Sequence, residues 1–334
     1  MCDLEEVTTP KKPKLVPLSS RAITAMDRLR TIPLALKASA LPSVLHAMQI
    51  EVAISGEDPE PVIVVDIPEA AENKDVAGAV RATEASVPRL PKVGGQVAVI
   101  SIRGTIGQHR STDYWSDTHT EAIAGQIGNM VANPSIGAIV LDIDSPGGIV
   151  YGTPELAETI RGARGVKPIY GLANGSAASA AYWIGASVDK LFVIPSGEVG
   201  SIGVWSAHTD MSGALEQQGV DITLISAGKY KVEGHPFAPL DDEARADMQA
   251  GVDRYFGMFL ADVARGRGEK AIVVKEAYGQ GRMLGAEAAK AVGMVDGIAT
   301  LPELLAGIMR PRQQRQSRGA ALGLGIDLEE AGYE

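Results

Sequence analysis

From Gln96 onward the chain repeats one pattern. Short apolar runs, "QVAVISIRG", "GAIVLDID", "KPIYGLA", "KLFVIP" and "VDITLISAG", alternate with stretches of helical spacing. Those stretches are Tyr114–Ala132, Thr153–Arg164, Ala178–Ser187, Asp210–Gln218 and a long amphipathic segment from Asp241 to about Arg265. The apolar runs are continuous rather than alternating, as expected of strands covered on both faces. Strands and helices taken in turn predict a largely parallel α/β sheet built from repeated strand–helix units, whose ligands gather at the carboxyl ends of the strands.

With 334 residues the chain can bury a sizeable core without staples. Its aromatic share is only 4%, so that core is expected to consist mainly of Val, Ile, Leu and Ala. The one cysteine, Cys2, excludes an internal disulfide and a cysteine-based metal site, and fits a reducing, cytoplasmic setting. A net charge of −10 argues against general nucleic-acid binding. The basic stretch Arg310–Arg318 runs on into acidic residues and reads as a solvated terminus. No membrane span is expected, because the longest apolar candidate, Ile32–Ile54, is interrupted by Lys37, Pro42, His46 and Glu51. "KKPKLVPLSS" is followed by too short and too polar a run for a signal peptide.

Three regions follow. Residues 1–95 read as a tail, a small helical element over Ile32–Ile54 and a Pro-, Glu- and Gly-rich linker that contains the short strand candidate "PVIVVDI". Residues 96–300 carry the regular pattern. Residues 301–334 read as a helix and a flexible tail.

Three turns rich in small residues follow strands: Asp144–Gly148, Gly175–Ser179 and Gly200–Gly203. Strand ends of one parallel sheet lie side by side, so the turns are expected to share a rim. Free N–H groups at Gly147 and Gly148, with a helix start after Ser179, suit an oxyanion hole, although tight βα turns explain each glycine singly. Ser176 and Ser179 are the candidate nucleophiles. Such a serine needs a base. None of His46, His109, His119, His208 and His235 stands in a distinctive spacing with a carboxylate, and His208 and His235 stay open. Lys229 and Lys231, just after an apolar run, are the other candidates; a lysine acts as a base only where burial and dipoles lower its pKa by several units.

The ordered set "DSPGG", "SAASAAYW", "VGSIGVWSAHTD" and "ALEQQGVDITLISAGKYKVEGHPF" resembles the signal peptide peptidase A family of serine peptidases, in the ClpP/crotonase superfamily. Within it, these motifs are most similar to the lambda-like phage head-maturation, or capsid assembly, branch. The resemblance covers residues 96–300 and implies a ClpP/crotonase-like fold. It implies Ser179 as nucleophile, Lys231 as general base, Ser201 as the residue orienting Lys231, and oxyanion donors at Gly147, Gly148 and Ala180. Many members read Ser-Gly-Gly where this chain has Ser179-Ala180-Ala181. Alanine serves there unless the position demands a positive φ. No cofactor or metal is implied. The resemblance further implies protein substrates such as scaffold, portal or capsid proteins, and a homo-oligomer in which the serine of one copy meets the lysine of the next. Alternatives are a bacterial signal-peptide peptidase, an acyl-CoA-binding crotonase-type enzyme and a non-catalytic assembly protein.

Overall fold

The computed structural model describes residues 34–36, 63–65, 90, 93–113 and 115–309. The basic stretch at 310–318, the small-residue tail after it and most of the N-terminal region therefore lie outside the described residues.

β3 (Gln96–Gly107) shows how the sheet is covered. Val97 and Val99 point to one face, Ala98, Ile100 and Ile102 to the other, and all are buried. β5 (Ile136–Ile149), β6 (Ile169–Ala178) and β7 (Lys190–Val193) repeat this double burial, which accounts for their continuous apolar runs. On one face the core joins Ile100, Ile102, Leu141 and Ile143 to α1 (Thr120–Ala132), α2 (Thr153–Ala163), α3 (Ala180–Gly185) and α5 (Asp242–Arg267). On the other, Val97, Val99, Val140, Tyr170 and Phe192 meet Leu304 and Ile308 of α8 (Leu301–Ile308).

The remaining elements complete the rim. They are β1 (Leu34–Leu36), β2 (Ile63–Val65), β4 (Thr118–His119), β8 (Glu198–Gly200), β9 (Met283–Gly285), β10 (Gly297–Ile298), α4 (Ser212–Gln217), α6 (Ala271–Ala277) and α7 (Ala286–Ala291). Among the described residues the main path of the sheet runs β10-β7-β6-β5-β3-β2. From β10 to β3 every pair is parallel, whereas β2 lies antiparallel on β3. The predicted α/β architecture with a parallel-dominated sheet is present.

Several local expectations change. The strand expected at "GAIVLDID" does not end at "SPGG": it runs through to Ile149, because β3 follows it with a register shift as far as Ile106↔Gly148. β6 likewise absorbs "NGSAA". Leu34–Leu36, within the expected N-terminal helix, is a strand; the rest of that segment is outside the described residues. "VDITLISAG" forms no strand, and Val220, Ile222, Leu224 and Ile225 are exposed. Among the described residues its apolar pattern pairs with no strand edge.

α5 is set by signals at both ends. Asp241 caps its start by accepting the Ala244 N–H at 2.7 Å, and Gly268 closes it in the left-handed conformation, φ 70°. Near its end Gly266 lies against the Ala186 carbonyl, where a Cβ would collide with backbone. Gly266→Ala is expected to destabilise the fold by about 1–3 kcal/mol, read as a lower urea midpoint with an unchanged slope.

Asp296 ties three segments together: Arg267 reaches it at 2.7 Å, Lys190 at 2.9 Å, and the Leu191 N–H at 2.9 Å. Burial pushes its carboxyl pKa up, but the Arg267 guanidinium and these hydrogen bonds outweigh burial and hold it below the ordinary carboxylate value. A depressed folded-state pKa adds stability that is present above the unfolded value and is lost as pH falls through the folded one. Asp296→Asn is therefore expected to cost about 3 kcal/mol at pH 7. Its deficit against the parent should shrink below about pH 4, as followed by thermal melts across pH.

Candidate active site

The site forms where β6 ends. One edge of β6 follows β5 as far as Ser145↔Ala177; on the other, β7 stops at Ala173↔Val193 and β8 takes over through Ser176↔Glu198, Ala177↔Val199 and Ala178↔Gly200. The last pair brings Ser179 and Ser201 side by side, each as the first residue beyond its strand. Both adopt left-handed φ, 55° at Ser179 and 54° at Ser201, a rarity for residues with a side chain. The Ser179 N–H donates to the Gly200 carbonyl at 2.8 Å, and the Ser201 N–H to the Arg282 carbonyl at 2.9 Å, so neighbouring backbone imposes both turns.

Ser179 also starts α3, and its carbonyl accepts the Trp183 N–H at 2.9 Å. It is 1% exposed, yet among the described residues its Oγ has no hydrogen-bond partner. A buried hydroxyl without a partner is costly. Ser176 differs: it sits in regular strand, and its N–H donates to Asp144 Oδ1 at 3.1 Å, although its Oγ too finds no partner among the described residues. Backbone geometry thus sets Ser179 apart from Ser176, as does its place directly before the helix of Tyr182 and Trp183.

Of the three expected oxyanion donors, Gly147 is engaged. Its N–H donates to Ser145 Oγ at 3.1 Å, and Ser145 Oγ donates to the Gly104 carbonyl at 2.6 Å. Ser145, almost fully buried, fixes the end of β5; "DSPGG" read as a turn gives no hint of that role. Gly147 has φ 98°, and at Gly148 a Cβ would collide with Ile106 backbone, so glycine is required at both. Ala180 opens α3, and the first N–H of a helix has no acceptor within it.

Lys231 is not brought to Ser179 within one chain. It is exposed, in a turn closed by its N–H to the Gly228 carbonyl at 3.2 Å. Lys229 bonds Glu243 and the Tyr230 hydroxyl, each at 2.8 Å. The Glu243 carboxylate, then Tyr230, hold the Lys229 pKa above its ordinary value, the wrong direction for a base. His208 meets the His235 carbonyl at 3.1 Å, and His235 Nδ1 accepts the Phe237 N–H at 3.1 Å. Neither ring reaches Ser179. His109 pairs with Glu121, and His119 meets the Asp113 carbonyl; His46 lies outside the described residues.

α5 braces α3, the helix that Ser179 starts. Trp183 stacks on Phe259 at 4.4 Å between ring centroids, and its Nε1–H donates to Asp262 at 2.8 Å. Asp262 also accepts from Arg161 and Arg265. Beyond Ser201 a cavity of about 450 Å³ opens between Ile202, Val204, Val252, Phe256 and Gln280.

Parts of this chain are similar to known proteins. The sequence profile of "Peptidase family S49" matches residues 163–315, which include Ser179, Ser201 and Lys231. "Capsid assembly protease C" of Escherichia phage lambda is 34% identical over 178 residues, 53% of this chain and 40% of that protein. "Head-tail preconnector protein GP5" of Enterobacteria phage P21 is 36% identical over 179 residues, 53% of this chain and 36% of that protein. "Protease 4" of Salmonella typhi is 29% identical over 216 residues, 64% of this chain and 34% of that protein. The matched region thus spans well under half of each of these relatives. A solved structure of a membrane-bound stomatin-specific protease aligns with a TM-score of 0.41 and 18% identity, over 65% of this chain and 86% of that one. Among the described residues no helix is long and apolar enough to cross a membrane. Residues 163–315 are thus similar to peptidase family S49, and the strained, buried Ser179 lies inside the matched segment.

Proposed function

We propose that this chain is a serine endopeptidase working with a Ser179–Lys231 dyad. The observation that carries the reading is Ser179: buried, held in left-handed backbone beside Ser201, with an Oγ that nothing among the described residues satisfies. In the proposed mechanism Lys231 takes the Ser179 proton as Oγ attacks the scissile carbonyl, then returns it to the leaving amine. Ser201 orients Lys231. The developing oxyanion is held by N–H groups at Gly148 and Ala180, joined by Gly147 when it releases Ser145. The apolar cavity beyond Ser201 takes a side chain next to the scissile bond.

The dyad is proposed to form between copies. Support comes from the segment that carries Lys231, which is exposed from Gly219 to Lys231 and displays a strand-like apolar pattern, with Ile225 95% exposed. Such a segment fits an edge on a second copy, and delivering Lys231 there would place it at a neighbour's Ser179. The names of the phage relatives, a capsid assembly protease and a head-tail preconnector protein, favour scaffold, portal or capsid proteins as substrates.

Ser179→Ala and Lys231→Ala are each expected to lower kcat/KM on a casein-type substrate by about a thousandfold or more, the double variant losing little further, since groups acting as a unit are not additive. Ser176→Ala and Lys229→Ala should keep most of the activity. Full activity in Lys231→Ala, with loss in His208→Ala or His235→Ala, would transfer the base to histidine.

Mixing Ser179→Ala with Lys231→Ala chains after partial unfolding and reassembly is expected to recover activity, because some interfaces then pair an intact serine with an intact lysine. No recovery at any mixing ratio would place both groups in one chain.

A further inference from the structure

β5 has two edges, and they end differently. Along one edge β3 keeps pace to the end, pairing Thr105 with Gly147 and Ile106 with Gly148. Along the other, β6 pairs only as far as Ser145↔Ala177 and ends at Ala178, while β5 runs on to Ile149. From Gly147 to Ile149 the backbone on that side has lost its neighbour, and unpaired strand groups invite another strand. β1 takes the place. It runs antiparallel, with Leu34↔Ile149, Ala35↔Gly148 and Leu36↔Gly147.

The position is informative because of what lies across it. β3 holds the far edge of β5, so β1 must lie on the edge that β6 vacates, on the side where β6 leads into Ser179. An extended peptide presenting a carbonyl to Ser179 would be laid along this same edge, gaining main-chain hydrogen bonds by adding a strand.

We infer that Leu34–Leu36 occupies the peptide-binding edge of this chain's own site and competes there with peptide substrates. The inference rests on the protease reading above. It makes the N-terminal region a built-in competitor: substrate must displace β1, so its apparent affinity falls by the fraction of time the edge is free.

The test uses full-length protein carrying Ala35→Pro, whose ring removes an N–H and disfavours strand pairing. Against a fluorogenic peptide, KM is expected to fall by about fivefold with kcat unchanged, as for an edge free about a fifth of the time in the parent. Without substrate, backbone amides of residues 146–150 should exchange with deuterium faster than in the parent. A synthetic peptide spanning residues 30–40 should restore their protection and inhibit the variant competitively. Equal KM and equal exchange in parent and variant overturn the inference, while hydrolysis that disappears in Ser179→Ala still upholds the protease reading. Absence of hydrolysis from both proteins overturns that reading and the competition with it.

Discussion

β6 is held on both edges where it ends: Ala177 is paired with Ser145 of β5 on one side and with Val199 of β8 on the other, and the rest of the site depends on that double pairing. Pairing with β8 sets Ser179 beside Ser201 and supplies the Gly200 carbonyl that bends the chain at Ser179. The end of β6 at Ala178, while β5 runs on, opens the edge at Gly147–Ile149. One strand end therefore sets the turn at Ser179, its neighbouring serine and a place for an extended backbone together.

The fold offsets two local costs at this point. Left-handed φ at two serines costs on the order of 1–3 kcal/mol each, and a buried hydroxyl without a partner costs a similar amount. Both are tolerated because α3 is wholly buried and clamped: Trp183 is stacked on Phe259 and bonded to Asp262, and the Tyr182 hydroxyl donates to the Met294 carbonyl at 3.0 Å. Asp262 is in turn neutralised by Arg161 and Arg265. The long α5 thus acts as a brace behind the reactive helix, and its close contact at Gly266 belongs to the same device.

Much of this could be read from residue order. Continuous Val- and Ile-rich runs marked the buried strands, whereas the small residues expected to turn at Gly175–Ser179 instead extend β6 to Ala178 and leave only Ser179 as the bend. What could not be read has physical causes. Whether "SPGG" bends or extends depends on how far β3 accompanies it, a long-range pairing invisible in local composition. Ser145 as a tether for Gly147, and Asp262 as the acceptor for Trp183, are contacts across long sequence separations. The strand at Leu34–Leu36 was hidden because three residues hold too little periodicity to set against the helical pattern around them. "VDITLISAG" had strand chemistry without a strand, since a pattern specifies a face to be covered but not which molecule covers it.

The bare segment around Ile225 has a consequence for timing. If the lysine arrives only with a neighbour, a dilute chain is no protease at all, and the number of working sites climbs faster than the amount of protein until the assembly saturates. Local crowding of copies then becomes the trigger. On that proposal scattered chains cut nothing, and proteolysis would begin where and when the chains are gathered together.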